Sequence, residues 1–298
     1  MLGYLQLLRP GNCVMGAIAA LIGALMVINF SEFIYFSPVY IAMIIVFLIT
    51  GAGNTINDCV DVDADKINKP SRPIVSKRVS KRSALIYAIV LFAIGIFLSG
   101  LINWYTLTIA VINSILLILY PLYLKRKLLV GNVVISYLVG SVFLFGGAAF
   151  ANLTLPFLLF LLAFFANISR EIVKDLEDIE GDRKSFLRKL ADVKKGIKKI
   201  AERFGITKGK VELKHTKKLL SVAAFSLILA ISISPLPYIL NLLSFTYLVL
   251  LVPTDAVFLF CIYQIARVRK RKNYGRISKN IKIGMFIGLL AFIVGVLF

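Results

Sequence analysis

Long apolar runs alternate with short polar stretches along the whole chain, and most runs are too long to be one buried face of a soluble bundle. A helix that crosses a bilayer needs roughly 20 mostly apolar residues. Such runs fall near residues 12–30, 37–57, 83–101, 104–124, 130–151, 155–174, 218–235, 237–265 and 281–298, which predicts nine transmembrane helices. The connections between them alternate in character. Those at 31–36, 102–103, 152–154 and 235–237 are short and nearly uncharged, whereas those at 58–82, 125–129, 175–217 and 266–280 hold almost all the Lys and Arg. Basic loops beside membrane spans mark the cytoplasmic side. That rule puts the N-terminus and the four charged loops in the cytoplasm and the C-terminus outside, in keeping with an odd number of spans. The expected fold is an all-α polytopic membrane protein of nine transmembrane helices, bundled around a central cavity, with residues 1–298 as a single transmembrane domain.

Composition agrees and removes several function classes. Hydrophobic residues make up 59% of the 298 residues. The net charge of +20 invites a nucleic-acid reading, but the cations occupy short loops between apolar spans, so no nucleic-acid partner is expected. Cys13, Cys59 and Cys261 are far apart and suggest neither a disulfide framework nor a zinc site. His215 is the only histidine, which excludes chemistry needing several imidazoles. No convincing small-residue cleavage site follows Arg9, so the first apolar run reads as a retained span.

The acidic residues change the picture most. Ten of the fifteen lie in two clusters, one within residues 58–65 and one within 171–182. Both contain D-x-x-D-x-x-x-D: Asp58, Asp61 and Asp65, then Asp175, Asp178 and Asp182. Carboxylates repel one another and resist leaving water, so two such clusters at helix ends on one membrane face call for a bound cation. At 100° per residue, Asn54, Asp58, Asp61 and Asp65 share one stripe if the second span continues past the bilayer edge, with Asp63 on the other side. Asn167, Glu171, Asp175, Asp178 and Asp182 form a second stripe, with Glu180 opposite. Ligands that are all oxygen favour Mg²⁺, Mn²⁺ or Ca²⁺, and two such faces across a cavity suit a metal-bridged diphosphate. Cations suited to phosphate stand nearby. Lys66, Lys69, Arg72 and Lys77 follow the first cluster; Arg170, Lys174, Arg183 and Lys184 flank the second. Arg72 stands out because Pro70 and Pro73 stiffen its loop. Tyr120 and Lys125 supply a basic-aromatic corner on the same face.

With these residues the chain resembles the UbiA superfamily of intramembrane prenyltransferases. The resemblance rests on Asn57-Asp58-x-x-Asp61-x-x-x-Asp65 with its Arg72-Pro73 sequel, on Asp175-x-x-Asp178-x-x-x-Asp182, and on the helix count. It extends over nearly the whole chain. Leu8-Arg9-Pro10-x-Asn12-Cys13 and Asn68-Lys69-Pro70-Ser71-Arg72-Pro73-Ile74 look most like the archaeal digeranylgeranylglyceryl phosphate synthase branch. That resemblance implies geranylgeranyl diphosphate and geranylgeranylglyceryl phosphate as substrates, membrane lipids as surroundings, and Mg²⁺ as cofactor. There are two departures. The family commonly carries Tyr-x-x-x-Lys after the fourth helix, whereas Tyr120 and Lys125 are one residue further apart. Residues 185–217 form a longer, basic amphipathic insertion suited to anionic headgroups or to a lid.

The expected chemistry is metal-assisted ionisation of an allylic diphosphate without a covalent protein nucleophile. Asp61, Asp65, Asp178 and Asp182 would hold the metal, with Asp58 and Asp175 completing or orienting the shell and Asn57 fixing a metal water or the acceptor. Arg72 and Lys125, with Tyr120, Arg170 and Lys174 beside them, would face the leaving group; Arg9 and Asn12 are candidates for the acceptor phosphate. An aromatic-acceptor prenyltransferase is the alternative within the enzyme class. A metal or phosphate transporter is the alternative outside it, but the acids crowd one face and only Asp255 falls deep in a span.

Overall fold

The computed structural model describes residues 2–28, 37–125, 128–191, 209–268 and 272–297, and every regular element among them is helical. In chain order they are α1 (Leu2–Leu8), α2 (Pro10–Leu25), α3 (Ser37–Val60), α4 (Val62–Asn68), α5 (Lys81–Ile102) and α6 (Trp104–Leu119), which runs into a π-turn (Tyr120–Leu124). Then follow α7 (Leu128–Ala148), α8 (Thr154–Ala191), α9 (Gly209–Ile233), α10 (Leu236–Ile239), α11 (Phe245–Arg267) and α12 (Lys272–Leu297). Among the described residues eight helices are long and apolar enough to cross a membrane, or nine if α1 and α2, bent by 47° at Arg9, count as one span. Phe97, Trp104, Phe225, Phe245 and Phe286 project outward from them. So many exposed apolar side chains would be an aggregation hazard in water; in a bilayer they face lipid.

Several element boundaries differ from the sequence expectation, mostly where charge interrupts an apolar period and once, after Ser234, where Pro235 and Pro237 do. The first helix begins at Leu2 and not near residue 12. The last begins at Lys272, not at 281, because Tyr274, Ile277 and Ile281 continue its buried stripe between exposed cations. Much of the expected loop 175–217 is helical: α8 continues to Ala191 and α9 starts at Gly209. Residues 192–208, at the heart of the expected amphipathic insertion, lie outside the described residues. The connection expected at 235–237 is longer, from Ser234 to Ser244 around the short α10.

Helix association in lipid depends on close packing, and small residues set it. A Cβ on Gly146 of α7 would stand 1.9 Å from the Ala20 carbonyl oxygen of α2, and one on Gly23 would meet Phe143 at 2.0 Å, so these two helices touch backbone to backbone. The α2–α7 seam joins α3 and α5 through one buried cluster, Ile45, Ile49, Phe92 and Phe145 among them. A second cluster ties α8, α9, α11 and α12 through Ile172, Leu227, Cys261 and Ile281. At the far end from the acids, Asn103 caps α6 by accepting from the Thr106 amide at 3.0 Å and donates to the Ala148 carbonyl at 2.7 Å. The α5–α6, α7–α8 and α10–α11 connections carry no Asp, Glu, Lys or Arg.

Asp255, just beyond Pro253 inside α11, accepts a hydrogen bond from the Ser234 hydroxyl at 3.0 Å, while Tyr247 donates to the Ser234 carbonyl. It lies in the wall of an interior cavity of about 180 Å³ lined otherwise mainly by apolar residues.

Candidate functional site

The first acidic cluster sits where α3 gives way to α4. Asp61 (φ −82°, ψ 10°) bends the chain without breaking its hydrogen bonds: its amide donates to the Asn57 carbonyl at 2.9 Å, and the Asp65 amide donates to the Asp61 carbonyl at 2.8 Å. The stripe expected from a continuous helix therefore survives the bend. Asp58 and Asp65 both accept from Nη1 of Arg72, at 2.8 Å in the case of Asp58. Asp61 accepts from the Asn57 amide at 3.1 Å and from Lys125. Asp63 points away, almost wholly exposed, and takes its 2.7 Å partner, Lys66, from its own helical turn. That hydrogen bond and the adjacent ammonium hold the Asp63 carboxyl below the ordinary Asp range.

The 69–80 loop delivers Arg72 through successive turns, with the Arg72 amide donating to Lys69 and the Ser76 amide to Arg72. Ile74 and Val79 of the same loop pack with Leu7, Cys59 and Ala84, which clamps α1 to the loop. Arg9 then approaches from the other side. It adopts a left-handed conformation (φ 53°, ψ 70°), uncommon for a residue with a side chain, immediately before Pro10. This break turns its guanidinium onto Asp58, which is 4% exposed and held between two arginines. The stripe residue Asn54 does not join the carboxylates. Its amide donates instead to the Leu8 carbonyl at 2.8 Å, satisfying an acceptor that the break leaves without a helical partner.

Lys125 reaches Asp61 because of the π-turn. The Lys125 amide donates to the Tyr120 carbonyl at 2.8 Å, a bond spanning five residues, so the wider turn absorbs the extra residue between them. A tyrosine and a lysine five apart thus stand as they would four apart in an α-helix. The half-buried Tyr120 lies within electrostatic reach of Asp61 from the first cluster and of Glu171 and Asp175 from the second. The two clusters therefore face one corner.

On α8, Glu171 is flanked by Arg170, with which it pairs, and by Lys174 at 3.8 Å. Asn167 donates to the Ser136 hydroxyl of α7 at 3.2 Å, which fixes the helix laterally. Asp175 is half-buried, and Glu177 turns toward Gly275 of α12. Asp178 and Asp182 continue α8, and their side chains lie outside the described residues. Among the described residues no three acidic, cysteine or histidine side chains gather into a metal cage. The donors present are nevertheless all oxygens with cations opposite, the set a hard divalent ion shares with a phosphate group. Asn12 is exposed on α2 and lines no described cavity. A cavity of about 500 Å³ opens beside Asp58, between Arg9, Arg72 and Arg78, with Gln6, Ser71 and Pro73 completing its wall. Sequence alone does not single out Gln6 or Arg78, since Arg78 within Lys77-Arg78 reads as an ordinary loop charge.

Residues 16–290 match the UbiA prenyltransferase family. The chain belongs to that family. Among its relatives, it is 37% identical to the digeranylgeranylglyceryl phosphate synthase of Methanococcus aeolicus, over 98% of this chain and 96% of that one. It is 43% identical to the digeranylgeranylglyceryl phosphate synthase of Methanococcoides burtonii, over 98% and 99%. Among solved structures, a digeranylgeranylglyceryl phosphate synthase superposes with a TM-score of 0.84 at 38% identity, covering 99% of this chain and 98% of the other. A UbiA homolog from Archaeoglobus fulgidus bound to GPP and Mg²⁺ superposes with a TM-score of 0.57 at 16% identity, over 97% and 99%, and shares the fold. The chain is accordingly a multi-pass membrane prenyltransferase of UbiA type.

Proposed function

We propose that this chain transfers a geranylgeranyl group from geranylgeranyl diphosphate to the free hydroxyl of geranylgeranylglyceryl phosphate, yielding digeranylgeranylglyceryl phosphate for archaeal membrane lipids. The observation that carries this reading is full-length likeness, at 37% and 43% identity, to the synthases of that name from the two archaea above. The site is consistent with it: carboxylates from two helix ends lie within electrostatic reach of Tyr120, with Lys125 on Asp61 and Arg72 on Asp58 and Asp65. The whole chain acts as one domain with its acid-bearing end in the cytoplasm, the C-terminus outside, and nine spans, the bent α1–α2 pair counting as the first.

Mg²⁺ held by Asp61, Asp65, Asp178 and Asp182, with Asp58 and Asp175 orienting the shell, would neutralise the diphosphate as it departs. Lys125 and Arg72 add fixed positive charge where the leaving group gains negative charge, and Arg170 and Lys174 supply it from α8. Asn57 holds Asp61 in position. When the C1–O bond breaks, its electron pair goes to the diphosphate. The acceptor oxygen bonds to C1, and its proton passes to a basic oxygen of the site, carboxylate or diphosphate. Apolar helix faces house both isoprenoid chains, which enter from the bilayer.

Prenyl transfer by the purified chain in detergent, with geranylgeranyl diphosphate, Mg²⁺ and a panel of acceptors, tests the proposal by mass spectrometry. Doubly prenylated glyceryl phosphate is the expected product. Transfer only to an aromatic acid would discard the lipid assignment while retaining the reaction type.

A further inference from the structure

Two anionic groups must be held at once if the acceptor is a lipid phosphate: the diphosphate that leaves and the phosphate that stays. One corner, formed by Asp61, Lys125, Tyr120, Glu171 and Asp175, lies between the two acidic clusters. The 500 Å³ cavity by α1 lies on the Arg9–Arg72 side of Asp58 and contains neither Lys125 nor any residue of α8 in its wall. The geometry points to this cavity as the seat of the acceptor's phosphomonoester, with Arg78, Arg9 and Gln6 as its recognition residues. The inference rests on the proposed lipid-phosphate acceptor and gives it a site.

The charge balance fits an anion. Three arginines line the cavity: Arg9 and Arg72 pair with Asp58, Arg72 also with Asp65, and Arg78 pairs with no carboxylate among the described residues, which leaves one positive charge in surplus. Arg78 is held rather than loose. Its Nε donates to Ser76 Oγ at 3.0 Å and its Nη2 to the Ser71 carbonyl at 2.5 Å, which leaves Nη1 for a ligand. Gln6 adds a side-chain amide to the same wall. A guanidinium fork suits a phosphate better than an acceptor without an anionic head.

The backbone supports the same assignment. Arg9 keeps a positive φ that glycine would adopt at no steric cost. Strain of that kind persists where the surroundings fix it, and here two devices do so: Asn54 on the Leu8 carbonyl and the Leu7–Ile74–Val79 clamp. The clamp also leaves little slack between α1 and the loop, since a Cβ on Gly3 would lie 2.7 Å from Val79 Cγ2. The cavity is thus built before a ligand arrives. It stands beside Asp58, so a glycerol carrying its phosphate there would keep its neighbouring hydroxyl next to the first acidic cluster.

The test compares wild type with Arg78→Gln and Gln6→Leu, both exposed positions whose change spares the core. Calorimetric binding of geranylgeranylglyceryl phosphate, geranylgeranylglycerol and geranylgeranyl diphosphate is measured on the full chain in nanodiscs of neutral lipid. Arg78→Gln should weaken the phosphorylated acceptor roughly tenfold or more, the loss expected for one charge-assisted hydrogen bond. Affinity for geranylgeranylglycerol and for the diphosphate should stay within about twofold, and Arg78→Lys should recover part of the loss. Equal weakening of acceptor and diphosphate, or no change in either, overturns the assignment. So does an affinity loss that appears only when anionic lipid is added to the nanodisc, which would make the cavity a headgroup site. Wild type that binds the phosphorylated acceptor through Arg78 but transfers nothing to it would sink the proposed reaction and leave the site standing.

Discussion

The two acidic clusters share a spacing, but the ion pairs of Asp58, Asp61 and Asp65 differ in kind from those of Glu171. Around Asp58, Asp61 and Asp65 the cations come from afar in sequence: Arg9, Arg72 and Lys125 lie 49, 14 and 64 residues from their partners at Asp58 and Asp61. Glu171, by contrast, pairs with its own helix neighbours, Arg170 and Lys174. The first arrangement exists only in the folded bundle, whereas the second is available to α8 alone. Asp58 and Asp65 are nearly buried, so their charges depend on Arg72, shared with Arg9 at Asp58; Lys174 is about half exposed and screened by solvent. The first cluster is therefore a prepared wall, whereas Glu171 belongs to a helix face that neighbouring cations adjust.

This contrast yields graded expectations. The largest effect concerns catalysis itself: Asp61→Ala and Asp178→Ala should each reduce turnover by about 10²–10³-fold or more, the scale of removing one preorganised electrostatic element. EDTA should abolish turnover and Mg²⁺ restore it; metal-independent turnover would remove the proposed chemistry from both clusters alike.

Next comes stability, where the clusters should diverge. Arg72→Leu leaves the nearly buried Asp65 without its arginine and Asp58 with Arg9 alone, so thermal unfolding should report a loss of about 3–5 kcal/mol, the usual result of breaking a buried pair from one side. Lys174→Ala should cost no more than about 1 kcal/mol, as exposed pairs do. Equal losses would erase the distinction between wall and adjustable face.

A smaller effect probes the π-turn. Deleting the exposed Tyr123 converts the five-residue spacing from Tyr120 to Lys125 into the four of an α-turn, and Lys125 should still reach Asp61. Activity should fall by less than about tenfold, whereas an added residue at the same place should cost the full Lys125 contribution. Smallest of all is Asp63. Its depressed carboxyl contributes stability above the ordinary Asp range and loses it as pH falls through the lowered value. Because the side chain is fully exposed, Asp63→Asn should match wild type in turnover and melting at neutral pH. A strong defect would show that the stripe is wrongly drawn.

Much of this was legible from residue order. Apolar runs set most spans to within a turn where charge did not interrupt them, though the span expected from residue 237 begins only at Phe245, and the helical period separated Asp63 from Asp58 and Asp65, as the pairing with Arg72 and Lys66 bears out. Where cations break the apolar run, as at Lys272–Lys282, the period was hidden although the buried stripe continues. Asn54 and Asn167 were visible as members of the acidic stripes, but their work of tying helices together depends on Leu8 and Ser136, which no local pattern links to them.

The sequence by itself determined the solvent, the charge of each end and the residue types at the site, because these follow from hydropathy and from helical repeat. Tertiary structure decided which cation meets which carboxylate and where a spare anion pocket opens. Those pairings join residues up to 64 positions apart, through a left-handed Arg9 and a π-turn at Tyr120. Neither device has a local energetic advantage: each is held in place by what packs against it, and that appears only when the chain is folded.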